Sequence, residues 1–337
     1  MKSTEDRILL AHGSGGRLSH ELVQKSLVPS WSNPVLNRLD DAAVFKLSGR
    51  LAFTTDSYVV SPIFFPGGDI GKLSICGTVN DLAMCGAQPL YFSVALIIEE
   101  GFRLAELERI VTSIKEATEE AGVEIVTGDT KVVPRGSADK LFINTAGVGL
   151  IPEGVDISGS NARPGDKILL SGTIGEHGLA VMSQRESLEF KIPIQSDCAP
   201  LNKLVVDMLA ASPEIHCLRD PTRGGLATTL NELATQSKVG MRIDEENIPL
   251  QEAVRATCEL LGFDPLYVAN EGKLVAILPP TDAERVLNQM RQNCYGREGA
   301  IIGEVVEQHP GRVVMRTRLG TSRLIDMLSG DLLPRIC

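Results

Sequence analysis

The apolar positions of this chain fall into short runs that alternate between strand-like and helix-like spacing, and that alternation continues from about residue 40 to residue 317. AAVFKL (42–47) and RLAFTT (50–55) predict two strands split by a turn at Ser48-Gly49. Residues 69–86 predict a helix interrupted by Gly71 and Gly77, and QPLYFSVALII (88–98) a buried strand. The clearest helix is predicted over 103–121, where Leu104, Leu107, Ile110, Val111, Ile114, Ala117 and Ala121 share one face and charges occupy the other. VEIVTG (123–128) and KLFINTAGVGLI (140–151) follow as strands. A turn-rich stretch around Pro164-Gly165-Asp166 opens a second half, with helices predicted near 200–211, 224–237, 251–261 and 281–292. Its strands are predicted near 167–171, 273–278, 300–306 and 311–317. Mixed elements in both halves predict an α/β (α+β mixed) protein of two domains. The expected divisions are a glycine-rich segment at 1–38, an N-terminal domain at 39–158, a C-terminal domain at 159–319 and an extended, flexible tail at 320–337.

Length and composition agree with that organisation. The 337 residues suffice for two domains, and 43% hydrophobic with 23% charged residues is ordinary for a globular chain. With Lys+Arg 33 against Asp+Glu 43 there is no basic surplus, so a nucleic acid or an anionic membrane surface is not an expected partner. No apolar run approaches the ~20 residues of a membrane span, and Lys2, Glu5, Asp6 and Arg7 do not resemble a signal peptide. A cytoplasmic protein is expected. Seven cysteines without CxxC pairs suggest neither a disulfide framework nor a zinc site, and Cys76, Cys85, Cys217 and Cys258 are expected to be buried packing residues.

The familiar nucleotide and hydrolase motifs fail. GDIGKL (68–73) has the wrong spacing for a Walker loop, and GxGxxG, GxSxG and HExxH are missing. What remains is a series of aspartates beside small residues or at strand ends. These are Asp40 and Asp41, Asp56 after Thr55, Asp81 after Asn80, Asp129 after Gly128, and Asp220 in a segment continuing to Arg223, Gly224 and Gly225. Any one of them is more simply a cap or turn residue. Together they suit two or three Mg²⁺ ions on a triphosphate, with Gly224-Gly225 adding donors at a helix N-terminus. Lys131 follows Asp129 closely and suits a counter-charge, while Glu271 beside Lys273 suits a general base; both are otherwise solvated loop-end charges. His177 is expected to cap or line a loop rather than to catalyse. The last residue, Cys337, stands on a tail that spans about 50 Å when extended, so its thiol is able to carry a group between sites.

AHGSGG (11–16), LDDAAVF (39–45), TTDSY (54–58), GTVNDLAMCGA (77–87), VTGDTKVV (126–133), RDPTRGG (219–225), ANEGKL (269–274) and the terminal PRIC (334–337) together resemble the HypE family of hydrogenase maturation proteins. That family is a branch of the superfamily of aminoimidazole ribonucleotide synthetase, selenophosphate synthetase and thiamine-monophosphate kinase. The resemblance implies a two-domain PurM-like architecture, a homodimer joined through a shared β-barrel, and ATP with Mg²⁺ bound between the domains. It implies that a carbamoyltransferase, HypF, loads Cys337, and that ATP-dependent dehydration converts the thiocarbamate to a thiocyanate. The cyanide then passes to iron on a HypC–HypD scaffold for [NiFe]-hydrogenase. The metal ligands would be Asp41, Asp56, Asp81, Asp129 and Asp220. Lys131 would stabilise the phosphorylated oxygen, and Glu271 would help to remove the nitrogen protons. Two alternatives compete: another superfamily enzyme, such as a selenophosphate synthetase, and a non-catalytic thiol carrier. The glycine loop HGSGGRLS lacks the Cys or selenocysteine and the Lys of the former; the latter would not hydrolyse ATP.

Overall fold

A computed structural model of the chain describes residues 7–14, 16–186, 193–330, 333 and 335–337. Lys2, Glu5, Asp6, Gly15 and Pro334, used in the readings above, lie outside these residues. Two short helices, α1 (Arg17–Leu22) and α2 (Val28–Trp31), are joined by a π-helical turn and precede the first sheet. The N-terminal layer then contains β1 (Arg50–Tyr58), β2 (Phe64–Phe65), β3 (Gly68–Asp69), α3 (Ile70–Met84), β4 (Gln88–Glu99), α4 (Leu104–Ala121), β5 (Glu124–Val133) and β6 (Leu141–Ile151). The main sheet has the order β1-β6-β4-β5, and only β4–β5 is parallel, as expected when α4 makes the crossover between them. The sheet is open at β1 and β5, so the barrel implied by the family does not close within one chain.

The second layer contains β7 (Lys167–Leu170), α5 (Glu176–Arg185), α6 (Asn202–Ala211), β8 (Cys217–Arg219), α7 (Gly225–Ser237), β9 (Gly240–Asp244), α8 (Glu252–Leu261), β10 (Val275–Leu278), α9 (Pro280–Gln292), β11 (Ala300–Val306), β12 (Val313–Arg316) and β13 (Ser322–Ile325). Its sheet runs β13-β12-β9-β11-β7-β10-β8. Strand β10 is apolar and buried throughout, and β7 is so after its first residue, Lys167, as strands covered on both faces must be.

Helix α4 presents to the core the face that its periodicity predicted: Leu107, Ile110, Val111, Ile114, Ala117 and Ala121 are buried. Helix α3 differs from expectation because Gly71 and Gly77 do not interrupt it. A Cβ on Gly77 would lie 2.2 Å from the Tyr58 hydroxyl, so this glycine lets α3 lie against β1. Three other expectations are corrected. Residues 42–47 form no strand, and Phe45 instead packs on Tyr91 with ring centroids 4.6 Å apart. Cys85 is exposed at the end of α3, although Cys76, Cys217 and Cys258 are buried. The tail is not free throughout, since its residues 322–325 pair with β12 as strand β13.

Candidate active site

The C-terminal residues are docked inside the molecule. Val59 N–H donates to Cys337 O at 3.2 Å and Ser61 N–H to Arg335 O at 3.2 Å, so the tail lies beside the chain that leaves β1. Arg335 donates to Val59 O (3.0 Å) and pairs with Asp139 at 2.8 Å. Arg185 holds Arg335 O at 2.9 Å while also donating to Ser61 O. Ile336 is 1% exposed and packs in the N-terminal core. Its carbonyl meets Nε2 of the buried His177 at 2.8 Å, and Nδ1 of that ring faces the Ser196 hydroxyl at 2.8 Å. Burial holds the His177 pKa down, so the ring is neutral, donates from Nε2 and accepts at Nδ1.

This docking brings Cys337 to two of the residues singled out in the sequence, Arg223 and Glu271. Arg223 Nη2 donates to Cys337 Sγ at 2.8 Å. The thiol is pushed up to about 12, first by burial and then by Glu271, with Arg223 acting in the opposite direction. Glu271 is 3% exposed and its Oε1 has no hydrogen-bond partner. Burial raises its pKa well above the carboxylate range, and Cys198, Asp220, Asp197 and Asp56 raise it further. A buried carboxyl with a raised pKa, close enough to the terminal sulfur to raise the thiol in turn, is a proton-transfer group by environment.

Three aspartates complete this side of the site. Asp56, on β1, accepts from Tyr58 Oη at 2.9 Å, and Asp81, on α3, accepts from Thr54 Oγ1 at 2.9 Å. Asp220, between β8 and α7, is raised to about 7 by burial, then by Asp81, with a further rise from Asp56. Asp81 is raised by burial against the Thr54 hydrogen bond, with Asp56 adding to the rise and Arg219 opposing it. Repelling carboxylates with so little compensating positive charge are a donor set suited to a divalent cation. Among the described residues no three His, Cys, Asp or Glu side chains converge into a ready-made metal cage. Such an ion would thus take further oxygens from phosphate or water. Gly224 and Gly225 open α7 next to Arg223.

The remaining singled-out residues lie elsewhere. Asp129 and Lys131 are in register with Ala95 and Ile97 of β4, whose side chains point away from the helices. Asp56 is in register with Thr145, whose hydroxyl donates to Ser74 O on α3. The two groups therefore occupy opposite faces of the sheet. Lys131 Nζ is 2.6 Å from Asp129 Oδ1, and that hydrogen bond pulls the Asp129 pKa down. With Asp40 and Gly128 these residues line a cavity of about 370 Å³ that also receives His12, Trp31 and Leu36 from the N-terminal segment. Asp41 follows Asp40 in the exposed chain leading to β1. Thr55 turns its hydroxyl to Thr145 O. Asn80 spends its side chain across the domain boundary, accepting from Leu201 N–H at 2.7 Å and donating to Ala199 O at 3.1 Å.

Sequence reasoning missed Asp197, Arg185, Asp139 and Tyr58, and it did not foresee the contact of His177 with the tail. Asp197 stands in SDCAP with no spacing to mark it; Tyr58 lies inside TTDSY, where the aspartate is the residue that signals chemistry.

Residues 39–151 match the family model of the AIR synthase related protein N-terminal domain, and residues 163–316 match that of the C-terminal domain. The chain is 56% identical over 333 residues to carbamoyl dehydratase HypE of Cupriavidus necator, covering 98% of this chain and 95% of that protein. The chain belongs to the HypE family. It is also 44% identical to the Escherichia coli HypE over 98% of this chain and 100% of that one. A crystal structure of HypE in complex with ATP superposes with a TM-score of 0.95 at 52% identity, covering 98% of this chain and 99% of that chain. A HypE–HypF complex gives 0.81 at 49% identity, covering 93% and 100%. Thiamine monophosphate kinase of Aquifex aeolicus, at 21% identity and a TM-score of 0.60, shares the PurM-like fold. No helix among the described residues is long and apolar enough to cross a membrane.

Proposed function

We propose that this chain is a cytoplasmic, ATP-dependent carbamoyl dehydratase of hydrogenase maturation, acting on a carbamoyl group carried by its own Cys337. The observation that carries this reading is the docked tail, which sets Cys337 Sγ against Arg223 and beside the buried, unpartnered carboxyl of Glu271. The relatives named carbamoyl dehydratase and the ATP-bound family structure support the same chemistry.

In this reading the thioester-like group is Cys337 S–C(=O)–NH₂. Its carbonyl oxygen takes the γ-phosphoryl group of ATP, ADP departs, and one N–H proton is released. Loss of the second N–H proton then forms the C≡N bond as the C–O bond breaks and phosphate leaves. An amide oxygen departs poorly, and phosphorylation makes it a leaving group. Glu271 in its ionised form is the proton acceptor, because a carboxylate with a raised pKa retains the proton that it takes. Arg223 holds the sulfur in place, and Gly224-Gly225 at the start of α7 offer backbone donors to phosphate. Asp56, Asp81 and Asp220, with Asp41 and Asp129, are the residues that would hold Mg²⁺, which supplies neutralising charge to the phosphates. Thr55, Asn80, Gly128 and Asp40 flank these positions. Lys131 stabilises the oxygen that is phosphorylated.

Lys131 and Glu271 lie on opposite faces of one sheet, and a homodimer reconciles that separation. The face bearing Asp129 and Lys131 also carries Phe53 (73% exposed), Leu51 and Ile97, an apolar row suited to a second copy. Lys131 and Asp129 of one chain would then serve the partner. The docked thiol, at a pKa of about 12, is a poor nucleophile, so loading by HypF requires the tail to leave its groove. The HypE–HypF structure supports HypF as the donor, and a HypC–HypD complex is the proposed cyanide acceptor. Intact-mass measurement of the carbamoylated chain tests the proposal. ATP should remove the mass of one water from the adduct on Cys337. An adduct that survives ATP unchanged, or equal loading of Cys337→Ala, contradicts it.

A further inference from the structure

Asp197 has no part in the mechanism so far, yet it is among the most heavily engaged side chains in the molecule. Its carboxylate is 3% exposed and sits in the segment between α5 and α6. Oδ1 accepts the N–H of Glu271 at 3.1 Å, and Oδ2 accepts the N–H of Gly272 at 3.2 Å and Nζ of Lys273 at 3.1 Å. One carboxylate thus gathers three consecutive residues. Lys273, its side chain 13% exposed, pairs with this carboxylate and, with the N–H of Glu271, keeps Asp197 ionised despite burial. The approach is so close that a Cβ on Gly272 would lie 1.8 Å from Asp197 O, which makes residue 272 glycine.

The far side of the same peptide is also held, because Glu271 O accepts from Ala199 N–H at 3.3 Å and from Asn80 Nδ2 at 3.4 Å. Glu271 is therefore fixed through its backbone on both sides while its Oε1 stays unpartnered. A core glutamate with a packing role would have its head satisfied and needs no such clamp. The neighbouring Ser196 meets His177, which in turn holds Ile336 O of the tail. Two adjacent residues hold both reacting partners: one fixes the base, the other the thiol-bearing tail.

We infer that Asp197 is the positioning residue for Glu271, a clamp that holds the glutamate backbone so that its free carboxyl meets the group on Cys337. The inference rests on the reading of Glu271 as the proton acceptor. Asp197→Asn alone would leave Lys273 as an unpaired buried charge, which is itself destabilising. The Asp197→Asn/Lys273→Met variant removes the pair together and keeps the test interpretable.

Two measurements on the full-length chain decide it. In the first, dehydration of the carbamoylated chain is followed by mass in single turnover. The double variant should slow it roughly 10²-fold, as expected for a misplaced reacting group, while loading of Cys337 proceeds normally. Placed in a Glu271→Gln background, the same change should add no further loss, because its effect runs through the glutamate. An equal loss in both backgrounds overturns the inference. In the second, hydrogen exchange at the amides of Glu271 and Gly272 should speed about tenfold or more in the double variant, the factor expected for a lost hydrogen bond. Unchanged exchange there overturns the clamp whatever the activity. Carbamoylated wild-type protein that is inert with ATP would overturn the proposed function instead, and the exchange result would then judge the clamp alone.

Discussion

On the helix-facing side of the N-terminal sheet, Asp56, Asp81, Asp220, Glu271 and Cys337 meet in a cleft closed by α3, the second domain and the chain's own tail. On the other side, Asp129 and Lys131 form an ion pair with side chains 59% and 61% exposed. The two regions answer to different physics. In the cleft, burial and mutual repulsion push Asp220 to about 7, and Glu271 and Cys337 well up, so each group sits in a protonation state set by its neighbours. At the exposed face, solvent screens the pair and its contribution to stability is small. The first region is organised before substrate arrives. The second gains comparable strength only when a nucleotide or a second copy excludes water from it.

The largest expected effect breaks the buried side. Glu271→Gln should slow dehydration by roughly 10²–10⁴-fold, the range for loss of a general acid–base group. It should leave HypF-dependent loading of Cys337 intact, as read by intact mass. Next, Lys131→Met should slow dehydration about 10²-fold, by loss of one transition-state charge partner. Its unfolding free energy should stay within about 0.5 kcal/mol of wild type, since the pair is exposed; a large loss of stability would contradict the comparison. Mixing the Lys131→Met and Glu271→Gln chains should restore part of the turnover in hybrid dimers, because each chain supplies what the other lacks. Mixtures as inactive as their parents would show that both residues act within one chain.

A further effect falls on stability rather than on rate, as a pH dependence. Asp220 titrates near 7 in the folded chain and at about 3.9 when unfolded, so the folded state holds a proton that the unfolded state releases. That contribution favours folding at low pH, falls as pH rises from about 4 to 7 and is level above. Asp220→Asn should flatten this slope in thermal melts of the nucleotide-free protein. An unchanged slope would remove Asp220 from the repelling cluster.

Much of this molecule was legible in the sequence wherever the signal is local. Helix α4 follows its 3.6-residue period, and the strands at 88–98 and 140–151 lie where apolar runs predicted them. Glu271, Arg223 and Cys337 stand in short motifs that marked them, and they do meet. Three features were not legible, each for a stated reason. Glycines at 71 and 77 looked like breaks in a helix because sequence does not show the Tyr58 hydroxyl pressed against the second of them. The separation of Lys131 from Glu271 depends on which face of the sheet each residue takes. That parity is set by pairing across β4, which carries a register shift between Phe92 and Ser93. Asp197 is defined by partners 74 to 76 residues away, and no spacing rule reaches that far.

In the proposed reaction a carbamoyl group on the docked Cys337 becomes a thiocyanate within this chain. Infrared spectroscopy of the full-length protein, loaded by HypF with ¹³C-labelled carbamoyl phosphate, tests it most directly. Addition of ATP and Mg²⁺ should produce a nitrile stretching band that shifts between ¹²C and ¹³C label and is absent in Glu271→Gln. ATP hydrolysis with no labelled nitrile band would contradict the account.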